Sequence, residues 1–235
     1  MTSKEILTQL KSLGSESIKK VLVKHGAREP FYGVKVEELK KIQKKVKKDY
    51  KLSMELFDSG VSDAMYLAGL IADPEKMSKK DLQQWAEKAY WYMLTEYPVA
   101  WAASMSKYGT EMALEWIESD KENIACAGWS TLGFIASIKP DEELDLKLYK
   151  KLIARVEKDI HQAPNRVRYT MNGFVLSSGA FISSLTDLAV KTGERMGKIK
   201  VDMGGTACQV PFIPEYMKKI EARGNIGKKR KTAIC

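Results

Sequence analysis

The stretch ENIACAGWSTLGFIASI, residues 122–138, is the part of the sequence that decides the predicted fold. It is long and almost free of charge, and Trp129 lies near its middle. Its apolar residues recur at roughly every third or fourth position, at Ile124, Ala127, Leu132, Ile135 and Ile138. This is the spacing of a helix, and the small residues between them would let neighbouring helices approach closely. The stretch therefore predicts a buried helix.

A second segment, MNGFVLSSGAFI at residues 171–182, has the same character. Charged amphipathic helices are predicted around both, and no strand-like alternation occurs before Lys198. The helices are predicted at Lys4–Leu13, Ser17–Lys24, Val36–Val46, Leu52–Phe57, Ser62–Ala72, Thr110–Glu118, Glu122–Ile138, Leu144–Ile160, Asn165–Ile182 and Ser184–Met196. They recur as pairs at roughly 35 to 45 residues, the period of degenerate HEAT-like repeats. We predict an all-α, HEAT-like helical repeat solenoid, a curved α-α superhelix.

Three helix starts carry sequence signals. Ser62 or Asp63 is predicted to cap one helix, and Ser78 to cap the next. Pro98 is predicted to open a new helix in its first turn. The composition changes at Lys198, so we divide the chain into a repeat domain, residues 1–197, and an extension, residues 198–235. The extension is rich in Gly and Pro, with a short helix at Pro214–Ala222 and a basic end.

The 235-residue chain has 39 basic and 30 acidic residues, a net charge of +9. This balance favours a polyanionic partner, DNA or RNA first, although a lysine-rich solvated surface gives the same count. Three cysteines without a close pair, Cys126, Cys208 and Cys235, argue for a reducing cytosol. His25 and His161 are not at ligand spacing, and phosphate-loop and dinucleotide motifs are missing, so we expect no metal and no cofactor. No uncharged run approaches the ~20 residues that span a bilayer.

Three basic clusters are candidates for contacts with the DNA backbone. Lys44 and Lys48 lie in the lysine-rich helix Val36–Val46 or just beyond it. Arg166 and Arg168 follow Pro164 at a helix start, where backbone amides and arginines together can clamp a phosphate. The densest run is Lys228, Lys229, Arg230 and Lys231, which would add non-specific affinity. For each cluster the alternative is a solvated surface, and for the last one a disordered tail.

The segment FYGVKVEELKKI, Phe31–Ile42, resembles a signature near the N-terminus of the AlkD-like DNA alkylation repair proteins. The resemblance extends over about residues 1–197 through the helix-pair spacing and the two apolar helices. It implies a C-shaped array of HEAT-like repeats that holds duplex DNA in a basic concave face. It also implies a DNA glycosylase for cationic alkylated purines, which uses aromatic side chains, an aspartate and an arginine.

The family's Trp-x-x-x-Asp motif falls on residues 97–101, so Tyr97 keeps the aromatic and Trp101 replaces the aspartate. The family's arginine falls near residues 126–128, where no basic residue stands, and Trp129 is close. A later tryptophan falls near Phe174. Hence Tyr97, Trp101, Trp129 and Phe174 are the candidate base or lesion contacts, with core packing as the alternative.

Glu96 is the candidate catalytic carboxylate, because it adjoins the motif and a carboxylate stabilises the cationic sugar of the transition state. Since both charged positions of the family are unmatched, whether the chain is an enzyme stays open. The sequence predicts a DNA-binding protein in the cytoplasm, associated with the nucleoid. The alternatives are a non-catalytic binder of DNA structures and a protein–protein scaffold, so a protein partner is left open.

Overall fold

The structure, a computed structural model, describes residues 1–234. Those residues form helices and connecting loops without a strand, so the predicted all-α class is confirmed. The α-helices are α1 (Ser3–Leu13), α2 (Glu16–Lys24), α3 (Val36–Val46), α4 (Tyr50–Asp58), α5 (Ser62–Ile71), α6 (Lys79–Lys88), α7 (Tyr92–Leu94), α8 (Ala100–Ser104), α9 (Gly109–Trp116), α10 (Glu122–Ile138), α11 (Leu146–Asp159), α12 (Asn165–Phe181), α13 (Thr186–Met196) and α14 (Ile213–Ala222).

Helix α10, the stretch quoted above, lies at the centre of this array. It packs against α12, α9 and α8. Twelve of its seventeen residues are buried. The core has two apolar clusters, and α10 contributes to both, Ala127 to the first and Trp129 to the second. The predicted buried helix is confirmed, and it joins the two halves of the core.

Gly128 on α10 lies close to α9 and to Ile117, the residue that follows it. A Cβ atom at this position would lie 2.7 Å from Ile117 Cγ2 and 2.8 Å from the Ala113 carbonyl oxygen. Both neighbours belong to packed helical backbone or to a buried side chain, so neither can move aside cheaply. Gly173, in the middle of α12, has nothing within 4 Å of the same atom.

We expect the substitution Gly128→Ala to lower the free energy of unfolding by about 1–3 kcal/mol, because overpacking displaces helix α9. The matched control, Gly173→Ala, adds the same methyl group in open space and is expected to stabilise by about 0.5–1 kcal/mol. Urea denaturation followed by circular dichroism measures both. Equal effects of the two substitutions would show that helix propensity, not packing, decides at Gly128.

The turn of the signature segment is held by a buried carboxylate. Asp63 accepts hydrogen bonds from the backbone N–H groups of Tyr32, at 2.5 Å, and Val34, at 2.7 Å. Gly33 between them has a φ of +75°, and a Cβ there would lie 2.7 Å from the Ser15 carbonyl oxygen. Both features favour glycine.

Because Asp63 serves the turn, it does not cap its own helix. The predicted cap at Ser62 or Asp63 is wrong, since Val61 is the N-cap and no side chain caps α5. Ser78 caps α6 as predicted, and Asp81 completes a capping box there.

The helix predicted to open at Pro98 begins earlier, at Tyr92, so this prediction is wrong. Pro98 lies inside a π-helical segment, Thr95–Val99, between α7 and α8. A proline lacks the N–H group for the regular ladder, and a π-turn absorbs that loss as a local bulge without ending the helix. Pro98 packs on α5, where a Cβ at Gly69 would lie 2.6 Å from the Pro98 Cβ.

The extension from residue 198 packs against the N-terminal end of α12 and against the C-terminal ends of α10 and α12. Its first loop pairs Asp202 with Asn165 at the start of α12 through two hydrogen bonds, of 2.9 and 2.8 Å. After α14, the segment from residue 227 crosses the helix C-termini. Gly227 N–H donates to the Ala180 carbonyl at 2.8 Å and Arg230 N–H to the Ser137 carbonyl at 2.7 Å. The segment thereby satisfies terminal carbonyls that a helix leaves without partners.

Candidate nucleic-acid interface

A narrow cleft of about 130 Å³ lies between the π-helical segment, α10 and α12. Small residues at every third or fourth position of the two helices open it, Ser130 and Gly133 on α10 and Gly173 and Ser177 on α12. The remaining lining residues are Glu96, Tyr97, Trp129, Phe134, Tyr169, Thr170 and Phe174. We call this the inner cleft.

The structure brings three of the four predicted aromatic residues to the inner cleft. Tyr97, Trp129 and Phe174 line it, and the rings of Trp129 and Phe174 are 5.2 Å apart between centroids. Trp129 and Phe174 are each only 1% exposed, so they present little more than an edge. Trp101 is fully buried behind Tyr97, with ring centroids 5.6 Å apart, and does not line the cleft.

Glu96 and Arg166, predicted for separate roles, form one buried ion pair. The guanidinium of Arg166 contacts both carboxylate oxygens of Glu96, Nε with Oε1 and Nη2 with Oε2, the latter at 2.8 Å. The two side chains are 6% and 15% exposed. Charge-assisted bidentate pairs of this kind are among the strong hydrogen bonds of proteins. The pair joins the π-helical segment to the first turn of α12.

Two tyrosine rings enclose the Arg166 guanidinium. Its Cζ atom lies 3.9 Å from the ring centroid of Tyr92 and 4.0 Å from that of Tyr169. Stacking of a planar guanidinium on aromatic faces is a property of arginine that lysine does not share. Burial raises the pKa of the Glu96 carboxyl, and the hydrogen bonds from Arg166 oppose that rise. Burial acts against the Arg166 charge, but Glu96 leaves the pKa of its guanidinium raised.

Sequence reasoning found both charged residues but missed that they pair. They are 70 positions apart, so no local pattern connects them. One signal was available, since Tyr92 and Glu96 are four positions apart and Arg166 and Tyr169 three apart. On helices these spacings put each charge beside an aromatic ring.

The other predicted cationic residues differ in their exposure and in their contacts. Lys44 and Lys48 are exposed, and neither forms an ion pair within residues 1–234. Arg168 is half-buried and its Nη2 lies 3.4 Å from Asn165 Oδ1. Lys44 and Lys48 are therefore available to contact a partner.

The basic run of the extension is held at the C-terminal end of α10. Lys229 Nζ is 2.7 Å from Asp141 and donates to the Ala136 carbonyl at 2.8 Å. Arg230 is anchored by its backbone, while Lys228 and Lys231 are exposed. Cations at this place are stabilised by the negative ends of the helix dipoles.

No group of three or more potential metal ligands occurs within the described part of the chain. Across the same residues, no helix has both the length and the apolar character needed to cross a membrane. Cys126 is buried and Cys208 exposed, and both are free thiols, whereas Cys235 lies outside the described residues.

Two curated relatives match almost the whole chain. Uncharacterized protein Lin0241 of Listeria innocua is 29% identical over 231 residues, covering 96% of this chain and all of the relative. Uncharacterized protein Lmo0209 of Listeria monocytogenes is 30% identical over 229 residues, 95% of this chain and 99% of the relative.

A solved structure superposes with a TM-score of 0.92 at 34% sequence identity, over the full length of both chains. It is described as a new family of proteins related to the HEAT-like repeat DNA glycosylases with affinity for branched DNA structures. The predicted HEAT-like architecture and the predicted family resemblance are thereby confirmed. The family model of the DNA alkylation repair enzymes matches residues 6–174, well over half of the sequence, and the chain belongs to that family.

Proposed function

We propose that this protein binds duplex DNA along the inner face of its solenoid, prefers branched to linear DNA, and does not excise alkylated bases. The proposal that alkylated bases are not excised rests on one observation. Within the described residues, Glu96 is the only carboxylate that lines the inner cleft, and Arg166 engages both of its oxygens. A paired carboxylate has little field left for a developing sugar cation.

Family membership and the net charge of +9 support DNA as the partner. The solved structure at 34% identity supports a branched form of it, because that protein has affinity for branched DNA. Exposed cations supply the phosphate contacts in this proposal: Lys44 on α3, Lys48 just beyond it, and Lys228 and Lys231 in the extension. Such contacts position a duplex and add affinity without reading its sequence.

A junction offers phosphates in more than one direction, whereas a linear duplex offers one continuous path. In this proposal Lys44 and Lys48 contact one set of phosphates of the junction, and Lys228 and Lys231 contact another. In the cell the protein would act on the nucleoid.

We expect micromolar or tighter binding to a four-way DNA junction at low salt, with weaker binding to a linear duplex of equal length. Binding should weaken steeply with salt, because each neutralised phosphate contributes a slope of about −0.9 to log K against log [salt]. Fluorescence anisotropy with labelled DNA measures affinity and slope. Equal affinity for both DNA forms would contradict the proposed preference for branched DNA. Absence of binding would contradict the proposed DNA binding itself.

The double substitution Lys228→Ala with Lys231→Ala should flatten that slope by about two units. Lys147→Ala with Lys151→Ala on α11 is the matched control, since it removes two exposed lysines without ion pairs in residues 1–234. A control that flattens the slope equally would mean that the extension has no special part in binding.

A further inference from the structure

A cavity of about 680 Å³ lies at the N-terminal ends of α10 and α12, on the other side of the Glu96–Arg166 pair from the inner cleft. Its walls come from the residues after α2, the residues around α7, and the loop Asp202–Gly204 of the extension. Its volume falls in the range of small-molecule sites, about 300–1,000 Å³. Neither the DNA contacts nor the inner cleft uses it. We call it the terminal cavity.

The inner part of the terminal cavity is uncharged and closely packed. Ala89, Thr95 and Cys126 line it, and all three are buried. Burial also raises the pKa of the Cys126 thiol, so this group stays neutral. Trp91 and Tyr92 add aromatic surface. This surface suits the hydrocarbon part of a ligand.

The rim carries negative charge. Glu87, Glu122 and Asp202 line the cavity, are exposed, and form no ion pair with any residue from 1 to 234. The rim is therefore locally negative, although the chain as a whole has a net charge of +9.

The positively charged side chains that line the cavity balance the negative charge of its rim only in part. Arg166 is neutralised by Glu96. Arg28 donates to the Tyr90 carbonyl, and His25 Nδ1 is 3.1 Å from the Tyr92 hydroxyl. The lining therefore carries three carboxylates outside ion pairs, against one guanidinium, that of Arg28, without a carboxylate partner in the described residues.

We propose that the terminal cavity binds a small aliphatic polyamine. Methylene groups of such a ligand would cover the neutral floor and the aromatic wall, while ammonium groups would reach the rim carboxylates. Cations also gain from aromatic faces. A phosphate-bearing ligand would meet the carboxylates at the rim and be repelled. The proposal does not depend on DNA binding.

The test is isothermal titration of the DNA-free full chain with spermidine, at about 0.15 M ionic strength to screen diffuse surface attraction. We expect saturable binding at one site, and no binding of adenosine monophosphate. Glu87→Gln and Asp202→Asn should each weaken spermidine binding by about threefold, and together by about tenfold. Both replacements keep an acceptor oxygen for the hydrogen bonds from Gln83 Nε2 and the Gly204 N–H.

The matched control is Glu75→Gln, which removes an exposed carboxylate that does not line the cavity. It should leave the affinity unchanged. The proposal is overturned if spermidine does not bind, if Glu75→Gln weakens binding as much as Glu87→Gln, or if the nucleotide binds in its place.

Discussion

Replacing Arg166 by methionine is expected to lower the free energy of unfolding by about 3–5 kcal/mol, the largest stability change that we predict for a single side chain. The substitution leaves the Glu96 carboxylate buried without a counter-charge and removes the cation between the rings of Tyr92 and Tyr169. Burial penalises an isolated charge far more than a paired one. Urea denaturation at neutral pH measures the change.

Two further variants separate the pair from its parts. Arg166→Lys keeps the charge but loses the bidentate contact and the stacking, so we expect an intermediate loss. The double variant Glu96→Gln with Arg166→Met removes both charges and should be more stable than Arg166→Met alone. If the stability losses of Glu96→Gln alone and Arg166→Met alone add up to the loss of the double variant, the ion pair is not the source of the Arg166→Met effect.

Release of 7-methylguanine or 3-methyladenine from DNA is expected to be absent or far weaker than in the family's glycosylases. The resemblance places Trp101 at the position of the family aspartate, and Trp101 is fully buried. An aromatic face attracts a cation by roughly 0.5–2 kcal/mol. The loss of one preorganised electrostatic group typically reduces a rate by about 100- to 1,000-fold. Chromatography of released bases, compared with spontaneous loss from the same DNA, measures the outcome.

Glu96→Gln and Trp101→Phe are the informative variants. Release well above background that Glu96→Gln abolishes and Trp101→Phe retains would show that Glu96 leaves its ion pair to act as the carboxylate. Release that survives Glu96→Gln would assign the reaction to another acid. Because Glu96→Gln also weakens the buried pair, circular dichroism must show that each variant is folded under the assay conditions.

Helix patterns in this sequence were informative because helical periodicity is a local property. The predicted bounds of Val36–Val46 and Glu122–Ile138 agree with α3 and α10 at both ends. The prediction at Pro98 is wrong because a proline is compatible both with a helix start and with a π-turn. The π-turn is favoured by packing on Gly69, a residue far from Pro98 in the sequence.

The candidate site was harder to predict, since its geometry depends on distant contacts. The sequence brought Glu96, Tyr97, Trp129 and Phe174 forward as separate candidates, and all four line the inner cleft. It could not show that Arg166, 70 positions away, forms an ion pair with Glu96 and neutralises the charge of its carboxylate. Roles in binding or catalysis for these residues stay predictions.

The path of the extension also bears on how the molecule assembles. Repeat arrays ordinarily form from neighbour to neighbour and can lose their ends one unit at a time. Here Gly204 meets the backbone of Lys24, and Thr232 contacts Met105, 127 positions earlier. Contacts of such long range slow folding, because a long loop must close before they can form. During synthesis the carbonyl ends of α10 and α12 must therefore remain hydrated until residues 227–230 have left the ribosome, and an array halted before that point is incomplete in its middle as well as at its edge.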